Sequence, residues 1–135
     1  MKVVLDTNVL VSALITRGKS KKLFDKILEK KLEVAISEKT LAELKEVLKR
    51  PKFRKYVDKK TINRFIRLIN RKLTPVKISS YFDITVDKGD NLILNTAYAA
   101  SADYIISGDE HLLRLKTFKG IRIVTPKEMM EVLKS

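Results

Sequence analysis

The chain has 135 residues, 44% of them apolar, which fits one globular domain spanning residues 1–135. Its 29 Lys and Arg against 16 Asp and Glu give a net charge of +13, a balance that points to a polyanionic partner. It has no Cys and one His, which excludes disulfides, thiolate metal sites and Cys nucleophiles and leaves oxygen as the ligand for any metal.

The chain opens on Val3-Val4-Leu5, a β-branched run that reads as a buried strand, followed by a polar turn at Asp6-Thr7-Asn8 and an apolar helical stretch from Val9 to Ile15. Met1-Lys2 leads straight into this strand, which argues against a signal peptide. No stretch approaches the roughly 18 apolar residues needed to cross a bilayer. Residues 20–31 place Leu23, Phe24, Ile27 and Leu28 on one face, the pattern of an amphipathic helix. Val34-Ala35-Ile36 is a second strand, and Ser37 is placed to cap a helix that runs to about Arg50 before Pro51. Asp58 is positioned to cap a helix over 58–73 with Ile62, Phe65, Ile66, Ile69 and Leu73 on its apolar face.

Val76-Lys77-Ile78 is the expected third strand, and Gly89-Asp90 the start of a helix to about Ser101. Tyr104 to Ile106 and Ile121 to Val124 are further strands; the second ends in Thr125-Pro126-Lys127-Glu128, a capping box with Pro at the first helical position. Strands alternating with helices predict an α/β fold, a three-layer α/β/α sandwich around a mostly parallel sheet.

Ligands of such sheets bind beyond the carboxyl ends of the strands. Asp6 immediately follows one strand, Asp109 follows another after Ser107-Gly108, and Asp90 joins them if it opens its helix. Each acid alone has an ordinary explanation as a helix cap. Together they would repel one another, and a divalent ion is the economical way to keep them ionised, because no Lys or Arg stands next to any of the three in sequence. Carboxylates, water and phosphate suit Mg²⁺ or Mn²⁺, which can activate water and polarise a phosphodiester.

These residues carry a resemblance. Leu5 to Leu10, Ser37 to Leu44, and Asp87 to Asp109 with its Ser107-Gly108-Asp109 ending are similar in order and placement to the PIN domain family, specifically the small VapC-like toxins of toxin-antitoxin pairs. The resemblance implies a PIN-like fold and a Mg²⁺- or Mn²⁺-dependent ribonuclease. Its four acids fall on Asp6, Glu43, Asp90 and Asp109, with Asn8 and Ser107 as supporting polar positions. Family members often carry Thr where Ser107 stands and Pro where Lys88 stands. A cognate antitoxin, a homodimer and a cytoplasmic location are further implications of the likeness alone.

Helical geometry bears on Glu43: with Leu41, Leu44, Val47 and Leu48 inward, Glu46 points to solvent and Glu43 lies at the rim. Asp87 could bind metal through water, but a turn-forming Asp before Lys88-Gly89 is the better reading. Two basic groups are candidate RNA contacts: Arg17, Lys19, Lys21 and Lys22 beyond the first motif, and Lys60, Arg64, Arg67 and Arg71 on the polar face of the 58–73 helix. A solvated face accounts for the second group equally well. A non-catalytic RNA-binding module on the same fold is the alternative function. A receiver-like or dehalogenase-type phosphotransferase is disfavoured, because the strand-end Lys of the first and the second Asp of the other are missing.

Overall fold

In a computed structural model, described for residues 1–79 and 81–134, the sheet is built outward from its most apolar strand, β1 (Lys2–Leu5). Val3, Val4 and Leu5 are all buried, as expected for a strand covered on both faces. Successive residues point to opposite sides. Val3 and Leu5 join one apolar core with Leu10, Leu23, Ile27, Leu44 and Ile69, while Val4 joins a second with Leu94, Ala97, Ile105 and Leu112. Helices therefore cover both faces, giving the expected three layers.

The chain continues through α1 (Thr7–Ile15), α2 (Lys19–Glu29), β2 (Glu33–Ser37), α3 (Glu38–Leu48), a 3₁₀ turn (Pro51–Lys55), α4 (Lys59–Lys72) and β3 (Leu73–Val76). There follow α5 (Lys88–Ala100), β4 (Tyr104–Ile106), α6 (Glu110–Leu113), β5 (Thr117–Phe118), β6 (Ile121–Val124) and α7 (Pro126–Lys134). The six strands lie in the order β3-β2-β1-β4-β6-β5. All pairings are parallel except β5 with β6. The chain moves from β1 outward to β3 and then crosses to β4 on the other side of β1, so the order of strands reverses between β1 and β4.

The local signals explain most boundaries. Ser37 accepts from the Thr40 amide at 3.0 Å, Asp58 from Thr61 at 2.8 Å, and Thr125 and Glu128 exchange the two bonds of the capping box. Three expectations are corrected. No separate turn follows β1: Asp6 caps α1, which begins at Thr7. The third strand runs from Leu73 to Val76 and not over 76–78; Pro75 is accepted because β3 is an edge strand, where a missing N–H breaks no ladder. The helix expected to open at Asp90 is capped by Asp87, whose side chain accepts from the Asp90 amide at 3.0 Å.

Strand β5 was not signalled by any alternating pattern. It forms a two-residue hairpin with β6 through Lys119 and Gly120, both at positive φ (51° and 81°), the backbone such a tight connection needs. No helix among the described residues is long and apolar enough to cross a membrane.

Candidate metal centre

Asp6 sits where β1 stops. Its amide still donates to Ile106 O at 2.9 Å, extending the ladder to β4 by one bond, while Oδ1 accepts from the Asn8 amide at 3.2 Å. Oδ2 accepts from the Ser107 hydroxyl at 2.8 Å. That hydroxyl in turn accepts from the Asp109 amide at 2.9 Å. Ser107 is fully buried, so one hydroxyl ties the ends of β1 and β4 together and sets both acids. Asp109 caps the short helix α6 through its Oδ1 and the His111 amide, 2.8 Å apart. Capping and site geometry are here properties of the same side chains, because a residue at a strand end that opens a helix is aimed at the carboxyl edge of the sheet.

Asp90 is different in kind. Relieved of capping by Asp87, it lies in the first turn of α5, 5% exposed. Its Oδ2 is buried and, among the described residues, has no hydrogen-bond partner. Burial raises its pKa from 3.8 to about 6; the charges of Asp109, Asp87 and Asp6 push the same way, and a protonated Asp90 can donate to Asp109.

Asp6, Asn8, Glu43, Asp90 and Asp109 line a single cavity of about 250 Å³, together with Thr40 and Asp87. Its lining contains no Lys, Arg or His. Glu43 is itself exposed on α3 and reaches the cavity from its rim. Ser107 acts from behind, through Asp6. Sequence reasoning missed Thr40, whose only signal was its place in the first turn after the Ser37 cap, and ranked a turn role for Asp87 above a water-mediated metal contact, although Asp87 also lines the cavity.

The eight basic candidates do not join this group. Arg17, Lys19, Lys21, Lys22, Lys60, Arg64, Arg67 and Arg71 are exposed, and none lines the acid cavity. Lys21 pairs with Asp25 at 3.4 Å. The cations that border the site are Lys39 and Lys88, which line an adjoining cleft that shares Glu43, Gly89 and Leu92 with the acid cavity.

Among the described residues no three His, Cys, Asp or Glu form a ready-made metal cage. The donors nevertheless suit a hard divalent cation. They are all oxygen, one is an unsatisfied buried carboxylate oxygen, and no cationic side chain is present to neutralise them. Mg²⁺ in particular takes one or two protein carboxylates and leaves its other positions to water and phosphate.

The comparisons with known proteins bear on the family and the fold. The PIN domain profile matches residues 2–111. The uncharacterized protein MJ1680 of Methanocaldococcus jannaschii is 33% identical over 144 residues, covering 97% of this chain and 90% of its own. Among solved structures, a chain of VapBC2 from Rickettsia felis, bound to a DNA fragment from its promoter, superposes with a TM-score of 0.64 at 20% identity, covering 93% of this chain and 98% of that one. A chain of FitAcB from Neisseria gonorrhoeae gives 0.57 at 14% identity, with 93% and 98% covered.

Proposed function

Because the chain belongs to the PIN domain family, a family of nucleases, we propose that it is a Mg²⁺- or Mn²⁺-dependent endoribonuclease, the toxin of a toxin-antitoxin pair. The observation that carries this is the buried Oδ2 of Asp90, without a hydrogen-bond partner among the described residues, beside Asp6 and Asp109 in a cavity where none of the described lining residues is cationic. Such a cluster gains most from a divalent cation.

Asp6, Asp90 and Asp109 would hold the ion, with Glu43 at the rim and Asn8 beside it. When bound, the ion supplies Lewis acidity toward water and toward a phosphoryl oxygen. The protein's own contribution is placement. Ser107 fixes the carboxylate of Asp6 and the backbone of Asp109 through one hydroxyl, and the Asp87 cap fixes the start of α5 and so the position of Asp90. Glu43, exposed at the cavity mouth, is placed to orient water or take a proton there. Hydrolysis then needs no covalent intermediate on a side chain.

The antitoxin partner, a homodimer and a cytoplasmic location rest on the resemblance of the sequence to the stand-alone toxins, and fold likeness to VapBC2 and FitAcB supports the antitoxin partner. The alternative, a binding module without catalysis, is separated by one experiment. RNA incubated with Mg²⁺ or Mn²⁺ is expected to be cut, and to stay intact in chelator and with Asp6→Asn. Binding without cleavage in every condition would favour the module.

A further inference from the structure

Beside the acid cavity lies a larger cleft of about 500 Å³, sharing Glu43 with it and lined further by Lys39, Lys88 and Tyr81. A third cleft of about 460 Å³ continues past Lys39 and Tyr81 to Lys77. Tyr81 lines both and is 81% exposed. The residue after it is held firmly. Phe82 meets Tyr98 and Phe118 edge-on at centroid distances of 4.8 and 5.4 Å. Its amide donates to Asn95 Oδ1 at 2.6 Å, and its carbonyl accepts from Asn95 Nδ2 at 3.0 Å.

One helical turn earlier, Asn91 Oδ1 accepts from the amides of Ile84 and Thr85 at 3.1 and 2.8 Å. The loop that carries Tyr81 is thus pinned to α5, the helix that carries Asp90. The backbone beside Tyr81 is thereby fixed relative to the acids, while its ring stands exposed over the cleft. An exposed aromatic between lysines, continuous with a phosphodiesterase site, has the composition of a single-strand stacking platform. Asp83, the nearest acid on the loop, is already engaged as acceptor from Asn91 Nδ2 at 3.0 Å.

We propose that Tyr81 stacks on a base of single-stranded RNA next to the scissile phosphate, with Lys39 and Lys88 neutralising the flanking backbone. This assigns a substrate subsite and rests on the nuclease reading. It is tested by fluorescence anisotropy with a labelled oligoribonucleotide of about ten nucleotides, in chelator so that binding is read without cleavage. Tyr81→Ala is expected to weaken binding roughly 5- to 150-fold, and Tyr81→Phe to stay near the unsubstituted protein, as one stacked base is worth about 1–3 kcal/mol. Tyr56→Ala, which removes a 65% exposed ring outside these clefts, should change nothing. Lys39→Ala should lower the slope of log affinity against log salt by roughly 0.7.

Binding by Tyr81→Ala equal to the unsubstituted protein overturns the proposal and leaves the exposed loop as a protein-docking surface; so does an unsubstituted protein that binds no oligoribonucleotide. Cleavage that persists in Asp6→Asn would instead break the nuclease reading while leaving the binding result standing.

Discussion

Asp90 keeps its proton up to about pH 6 in the folded chain, whereas the ordinary value is 3.8. Between those values the folded state binds the extra proton, so this group's contribution to metal-free stability is greatest below about pH 4 and is lost as pH rises through 6. Asp90→Asn, neutral throughout, should therefore raise the metal-free melting temperature at pH 7.5 by several degrees, on the order of 2 kcal/mol, and flatten the decline between pH 4 and 7. Added Mn²⁺ should stabilise the unsubstituted protein and leave this variant unmoved. A variant that melts lower than its parent without metal would contradict this. Ser107 offers a second test at the same scale. Ser107→Ala leaves a buried carboxylate oxygen and an amide without their partner, which costs about 1–3 kcal/mol. It should lower cleavage about 10- to 100-fold, whereas Ser107→Thr keeps the hydroxyl and most of the rate. Asp6 and Asp109 were legible in the sequence because Asp6 directly follows an apolar strand and Asp109 stands three residues past the end of another. Asp90 was found for an incomplete reason: with acids at both 87 and 90, local pattern does not say which one caps. Only the fold shows that Asp87 does and that Asp90 Oδ2 is left without a hydrogen-bond partner among the described residues.

Elements with a strong apolar period, such as α2 and α4, fell where their spacing placed them, because burying that face decides the matter. The misses have physical causes. At β3 a Pro inside the strand and the Leu73 handover from α4 moved the boundary, and edge position made both tolerable. At β5 the information is two residues long and lies in the turn. Gly120, at φ 81° with open space around it, should make Gly120→Ala about 1 kcal/mol less stable in denaturant melts, through backbone strain alone. The irregular stretch between β3 and α5 was unreadable by period because asparagine side chains hold it. Hydrogen exchange checks this directly. Asn95→Ala should deprotect the Phe82 amide and Asn91→Ala those of Ile84 and Thr85, with strands β1 and β4 unchanged.

Across the whole molecule the charge of +13 drew attention to clusters dense in sequence, yet the cations beside the acids are Lys39 and Lys88, one from α3 and one from α5, brought together only by the fold. Charge density along a chain reports where phosphate can be attracted, and the sheet edge decides where it can be cut. Removing Arg64 and Arg67 together should change the salt slope of single-strand binding by much less than the roughly 0.7 expected for each phosphate contact, measured by the same anisotropy titration. The reversal of strand order between β1 and β4 is what gathers acids from four helices' starts and rims into one cavity. The measurement that bears on this most directly is an anomalous difference map from crystals soaked in Mn²⁺. A peak is expected among the carboxylates of Asp6, Asp90 and Asp109, at about 2.0–2.2 Å from at least one of their oxygens. A map at saturating Mn²⁺ with no peak in that cavity would contradict the metal centre and the nuclease built on it.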